Sequence, residues 1–224
     1  MAVGLDFGAL ADYVPVFVKG VGVTVELTVV GGTLGISLGV TCAWVKTQGP
    51  KLLRPVVSLY VELIRNTPFL IQLFFIFFGL PSIGVSMGEM EAAILAMVIN
   101  LGAYACEIIR AGIEATPRGQ FEAGASLAMS RFQTFRHVVL RPALQRIWPA
   151  LTSQLVIVMF GSAVCSQIAV EDITFAANFI QSRNFRAFEA YIVATLLYLA
   201  LAILLRQGMR LLGTALFPRR RAAR

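Results

Sequence analysis

Gln120–Pro142 reads QFEAGASLAMSRFQTFRHVVLRP, a basic stretch rich in small residues and set between two hydrophobic runs. A membrane protein gains nothing from folding such an insert unless something soluble docks there. Pro117 is expected to start a short helix with Glu122, Ala123 and Gly124 in its middle. Ser130-x-x-Gln133 fits a capping box, so a second short helix should begin there, after a tight bend near Ala128-Met129. Small residues at 123–125 keep the surface flat, and Glu122, an acid near a helix start, complements the macrodipole. Phe121, Met129, Phe132 and Phe135 are candidates to anchor the pair to the membrane body or to a partner. An interfacial amphipathic helix on anionic lipid would use the same composition. Residue types alone leave these two readings level.

Composition decides what surrounds the segment. Hydrophobic residues make up 58% of 224 positions, charged residues only 14%, and the mean hydropathy is +0.78. A soluble domain of this size could not cover so much apolar surface with so few charges, so the chain reads as one integral membrane domain, 1–224. The start, MAVGLDFGALADYVPVFVK, carries Asp6 and Asp12 and no early positive cluster, unlike a signal peptide. Cys42, Cys106 and Cys165 sit in apolar runs without close-spaced partners and read as inert core residues. His137 is the single histidine, so no metal site is expected.

The apolar runs divide into five spans of about 20 residues or more, at about 20–45, 56–80, 91–113, 147–169 and 190–212. The net charge of +7 is distributed by topology rather than as a nucleic-acid footprint. Lys46, Lys51 and Arg54, then Arg118, Arg131, Arg136, Arg141 and Arg146, fall on one side. Arg206, Arg210, Arg219, Arg220, Arg221 and Arg224, mostly in a basic tail over 213–224, join them there, fourteen of nineteen basic residues. Basic loops stay cytoplasmic, so the N-terminus is expected outside and the C-terminus inside.

Inside the spans, polar interruptions mark candidate sites. Gly31-x-x-x-Gly35-x-x-x-Gly39 makes a groove for close helix approach. Arg65-Asn66-Thr67-Pro68 interrupts the second span, and Pro68 removes a backbone donor, which predicts a kink or unwinding. Irregular backbone at that depth persists only where it is buried in protein or lines a wet cavity. The bulky run Phe74, Phe75, Phe77 and Phe78 reads as lipid-facing, with the narrowing of a pathway as the alternative. Asn100, Glu107 and Arg110 lie in the third span, where ionisable groups face an interior or a cavity. Glu107 and Arg110 share a helix face, either as a structural pair or in a functional role. Thr116-Pro117 reads as a cap followed by proline at the first helical position. Gln154, Ser162, Ser166 and Gln167 interrupt the fourth span, and a mixed-charge loop, EDITFAANFIQSRNFRAF, follows it.

Glu122-Ala123-Gly124 followed by Leu127-Ala128 resembles the E-A-A, three residues, G signature of ABC-importer permeases. Pro117-Arg118-Gly119-Gln120 before it resembles the form found in polar-amino-acid importers. VELIRNTPFLIQLFFIFFGLP and GAYACEIIRAGI are similar to hallmark segments of that subfamily, and together these cover most of residues 55–150. The resemblance implies an all-α, five-transmembrane-helix permease core of the type I importer class, with a coupling loop over about 116–143. It implies a bacterial inner-membrane location, a second permease copy or paralogue, two ABC ATPase subunits and a periplasmic amino-acid-binding protein. The ATPase surface it marks is Glu122, Ala123, Gly124, Leu127, Ala128, Met129 and Ser130. Three departures stand out. Ala128 replaces the family's glycine, and a left-handed backbone there would cost alanine roughly 1–2 kcal/mol. Proline comes one place late in Leu140-Arg141-Pro142. Phe160-Gly161-Ser162-Ala163 stands where a Lys-Asp-Thr-Ser-like stretch is usual, so a paralogous partner is a candidate source of part of the site.

No G-x-x-x-x-G-K-[ST] occurs, so this chain cradles no nucleotide in a P-loop, and ATP and Mg are expected on the partner ATPase. The solute path is expected to use Arg65 and Thr67, Glu107, and Gln154 and Ser162. Arg65 would hold a carboxylate and Glu107 an ammonium, the two charged groups of an α-amino acid. The competing classes are an ATP-independent secondary transporter or channel, an intramembrane enzyme and a purely structural subunit. Five spans without a clear internal repeat count against the first. Glu62, Glu107 and His137 are too scattered for the second. The structural subunit differs from the favoured reading only in whether mutating Arg65 or Glu107 abolishes transport.

Overall fold

The computed structural model describes residues 5–134, 137–138 and 140–217, without the side chains at 131, 132 and 141. Among the described residues the regular structure is entirely helical. In chain order the α-helices are α1 (Val14–Thr47), α2 (Arg54–Arg65), α3 (Phe69–Phe74), α4 (Glu89–Glu114), α5 (Arg118–Ser126), α6 (Arg131–Thr134), α7 (Leu140–Cys165), α8 (Ile173–Asn184) and α9 (Ala187–Leu216). Tighter or wider turns extend three of them: Phe7–Tyr13 before α1, Phe75–Gly79 and Leu80–Ile83 after α3, and Ser166–Ile168 after α7.

Among the described residues four helices are long and apolar enough to cross a membrane, and α2 with α3 makes a fifth span if the bent pair counts as one. The first, third, fourth and fifth expected spans fall on α1, α4, α7 and α9. The second is not one helix, because α2 and α3 meet at 111°. Pro68 has no N–H to offer the Ile64 carbonyl one turn back. The Gln72 side-chain amide donates to that carbonyl instead, at 2.8 Å, and the Thr67 hydroxyl donates to the Leu63 carbonyl at 2.8 Å. The break is thereby satisfied from within, as backbone at membrane depth must be. In the aromatic run beyond it, Phe75 and Phe78 are exposed, while Phe74 and Phe77 pack on the core.

The central helix is α4, with 56% of its apolar window buried against 22% for α9. It lies in the groove that the glycines of α1 provide. A Cβ on Gly35 would sit 2.8 Å from the Leu101 Cβ, and one on Gly39 would sit 2.5 Å from the Ala105 Cβ. Gly31 faces Met97 in the same way. The matched order 31–97, 35–101, 39–105 means that α1 and α4 run in the same direction. Through the intervening connections, the α1–α2 loop and the α4–α7 segment share one end of the bundle, called here the loop end.

Two expectations are corrected. The stretch after α7 is mostly helix rather than loop. Asp172 caps α8, its Oδ1 accepting the Phe175 N–H at 2.8 Å, and α8 stops at Phe185, where φ is +57°. At Thr116-Pro117 the proline itself occupies the N-cap of α5, with extended ψ of 139°. The Thr116 hydroxyl turns back to the Gly112 carbonyl of α4, 3.5 Å away. The extended backbone favoured before a proline places Thr116 outside the new helix rather than at its cap.

Candidate functional site

The insert at the loop end folds as expected, into two helices and a bend. Helix α5 closes with a Schellman motif: the Met129 N–H donates to the Gly124 carbonyl at 3.1 Å, and the Ala128 N–H donates to the Ala125 carbonyl at 2.9 Å. That motif needs a left-handed residue at position 128, and Ala128 adopts φ of +53° there, where glycine would be free of strain. The capping box then starts α6. The Gln133 side chain accepts the Ser130 N–H at 2.8 Å, and the Ser130 hydroxyl accepts the Gln133 N–H at 3.2 Å.

Gly124 is buried against α6, and a Cβ on it would lie 2.5 Å from Thr134. The pair is therefore one compact unit. Glu122, Ala123, Leu127, Ala128 and Ser130 are exposed, Leu127 at 75%, and Met129 is half-buried. An exposed leucine beside alanines and one acid is a surface suited to a soluble partner. Phe121 is also exposed. The expected anchors Phe132 and Phe135 fall outside the described side chains, and His137 is exposed.

A second cluster lies at the loop end of α4. Glu107 accepts from Lys46 of α1 at 2.7 Å and from Arg110 at 2.7 Å, and Arg65 of α2 approaches it at 3.8 Å. Arg110 also pairs with Glu114. Lys46 was readable in the sequence only as a topology charge; its pairing with a glutamate 61 residues away comes from the parallel α1–α4 contact. Arg65 keeps 44% of its side chain exposed and stands 5.6 Å from the centre of the Tyr104 ring. Lys46, Arg65, Tyr104 and Glu107 line a cavity of about 380 Å3, with Ser58, Glu62 and Asn66 also on its polar wall.

The break between α2 and α3 joins this cluster to the bundle interior. Gln72 donates to the Thr67 hydroxyl at 2.9 Å and accepts from Asn100 of α4 at 3.0 Å. Gln72 is a bridge that the sequence reading overlooked; the signal was an amide inside the apolar run LIQLFF. Asn100 also borders a smaller, mostly apolar cavity of about 160 Å3, walled by Phe69, Met97, Ile157, Val158 and Gly161.

The five residues expected on the solute path therefore form separate groups. Arg65 and Glu107 come together, and Thr67 sits at the adjoining break. Gln154 is buried in the middle of α7. Ser162 is fully buried near the end of the bundle opposite the loop end, about 33 Å along α7 from its first residue by helical rise. It neighbours Asp172 and Tyr198, with its hydroxyl outside hydrogen-bond geometry. Asp172 accepts from the Tyr198 hydroxyl at 2.6 Å, and burial pushes its carboxyl above the usual carboxylate range.

Residues 35–218 match the family described as binding-protein-dependent transport system inner membrane component. The glutamine transport system permease protein GlnP of Escherichia coli (strain K12) is 31% identical over 202 residues, covering 89% of this chain and 92% of that protein. The L-cystine transport system permease protein TcyB of Bacillus subtilis (strain 168) is 34% identical over 192 residues, covering 85% of this chain and 82% of that protein. A chain in the crystal structure of an amino acid ABC transporter with histidines is 35% identical and superposes with a TM-score of 0.87, covering 95% of this chain and all of that one.

Proposed function

This chain belongs to the family of binding-protein-dependent transport system inner membrane components, and from that premise we infer that it is the permease subunit of an ABC importer of amino acids. The observation that carries the reading is the α5–α6 unit, a pre-formed helix pair that shows an acid, three alanines and a leucine to solvent at the loop end. Its surface, Glu122, Ala123, Leu127, Ala128, Met129 and Ser130 with Gly124 beneath, is the docking site for an ABC ATPase that holds ATP and Mg. The whole chain acts as one transmembrane domain, with its loop end in the cytoplasm and the start of α1 outside. The excess of basic residues at the loop end supports that orientation.

Two ATPases, each docked on one permease, close when ATP binds. The paired permeases, identical or paralogous, then rock as rigid bodies between outward and inward packings. A periplasmic binding protein delivers the amino acid to the outer side. Arg65 is the carboxylate receptor of the path: it is half-exposed in a wet cavity, and its contact with Glu107 is the loosest in the cluster. Thr67 and Gln154 supply polar contacts further along. Glu107 already holds Lys46 and Arg110, so it meets the substrate ammonium only by exchanging one of these partners. Arg65→Gln should leave expression intact and lower transport in reconstituted vesicles; unchanged transport would remove the carboxylate role.

The docking role is tested by ATPase activity of the complex purified through this chain in lipid, with Glu122→Arg beside wild type. Wild-type activity lost together with the ATPase subunit in the variant is the expected result. An ATPase retained by Glu122→Arg would move the docking site off α5. No co-purifying ATPase even with wild type would return attention to ATP-independent transport.

A further inference from the structure

A second loop-end cavity lies between α7 and α9, about 650 Å3, walled by Trp148, Pro149, Phe217, Arg206, Arg210 and Gln145. Its apolar wall is fixed by close contacts. The Trp148 indole N–H donates to the Met209 carbonyl at 2.8 Å, and Phe217 meets the ring edge-on at 5.5 Å. A Cβ on Gly213 would lie 2.5 Å from the indole nitrogen, so this glycine lets the ring bed down on α9.

Arg206 and Arg210 are one turn apart on one face of α9, both exposed. Neither has a salt-bridge or hydrogen-bond partner among the described residues. The wall hydroxyls of Thr152 and Thr214 are already bonded to the carbonyls of Trp148 and Leu211. Pro149 cannot donate to the Gln145 carbonyl one turn back, so α7 lacks one backbone hydrogen bond beside the cavity.

We propose that this cavity is a binding site for one anionic phospholipid, its phosphate held by Arg206 and Arg210 and its chains lying along Trp148 and Phe217. The site combines two unpaired guanidinium groups with a rigid aromatic floor at the end of two membrane-crossing helices. A free anion has no use for that floor, and a neutral lipid has no use for the arginines. Tryptophan at a helix end is suited to headgroup depth, and arginine forks match phosphate oxygens. The sequence adds four more arginines, Arg219, Arg220, Arg221 and Arg224, directly after α9, and such clusters attract anionic lipid. The site depends on α7 and α9 crossing the bilayer, not on what the permease carries.

The test is native mass spectrometry of the full chain purified from membranes, titrated with phosphatidylglycerol or phosphatidylcholine in mild detergent, a readout that requires no transport. Wild type should bind one phosphatidylglycerol about twenty-five-fold more tightly than phosphatidylcholine, from two charges at about fivefold each. Arg206→Gln with Arg210→Gln should erase that preference, and the paired lysine substitutions should keep most of it. Lys51→Gln, at the same end but away from the cavity, should change nothing. Should the double glutamine variant fail to fold, each single variant is expected to lose about fivefold. A wild type without preference, glutamine variants that retain it, or a Lys51→Gln that loses as much would overturn the site.

Discussion

Glu107 and Asp172 are both carboxylates held within the helix bundle, yet their surroundings are opposite. Glu107 lies at the loop end among Lys46, Arg65 and Arg110, beside a cavity of about 380 Å3. Asp172 lies at the far end, fully buried, and its acceptors are filled by neutral donors, the Tyr198 hydroxyl and the Phe175 N–H. An ion cluster beside water can exchange partners at small cost, because each cation released is rehydrated at once. A buried acid with two directional hydrogen bonds has no such alternative and holds its helices in one arrangement. Glu107 ties α1 and α2 to α4 by contacts that allow movement, whereas Asp172 fastens α8 to α9. If the permease rocks, the loop end is built to slide and the far end to stay whole.

The comparison predicts unequal costs. Asp172→Ala should show the largest effect, about 3 kcal/mol of unfolding free energy, from the lost α8 cap, the space left in a fully buried site and the loss of one of the two hydrogen bonds of the Tyr198 hydroxyl. Chemical unfolding in mixed micelles measures it. Glu107→Gln should cost less, about 2 kcal/mol, because the cations left behind face a wet cavity and Arg110 keeps Glu114. In transport the order should reverse, with Glu107→Gln lowering the rate several-fold and any folded Asp172 variant close to wild type. A Glu107→Gln that unfolds the protein more than Asp172→Ala does would break the distinction between sliding and fixed ends.

The two ends also differ in how far the sequence exposed them. The loop end was legible because its signals are local: Ser130 and Gln133 are three apart, Pro68 carries its own consequence, and Glu107 with Arg110 shares a helix face. The glycines of α1 announced a close neighbour, though not that Leu101 and Ala105 of α4 would fill the groove. The far end depends on contacts between distant residues. Asp172 reads as one acid in a mixed-charge loop until α9 brings Tyr198, 26 positions later, against it. The α8 helix was missed although its cap is local, Asp172 accepting the Phe175 N–H three residues on, because the mixed charge of the stretch reads as loop. Lys46 was counted as a loop charge because only the parallel packing of α1 on α4 reveals its partner. At Ala128 the need for a left-handed residue was foreseen as a condition, and the Schellman bonds show it to be met.

The smallest effect sharpens the comparison most, because it isolates charge from shape. Asparagine at position 172 can still accept the Phe175 N–H, and the Tyr198 hydroxyl can reverse to donate to Thr174, whose hydroxyl lies 3.0 Å away. Asp172→Asn should therefore cost less than about 1 kcal/mol at low pH. Its pH dependence should differ more clearly. Burial raises the folded-state pKa of Asp172 above the unfolded value, so between the two the folded protein holds the extra proton. Stability is then complete below the unfolded value of about 3.9 and falls as pH rises through the folded value. Wild type should lose unfolding free energy over that window and level off above it, while Asp172→Asn stays flat. The difference between the two profiles measures what ionising this acid costs the far end. Matching profiles would mean that Asp172 ionises at the same pH in the folded and unfolded protein, and the contrast with Glu107 would then rest on geometry alone.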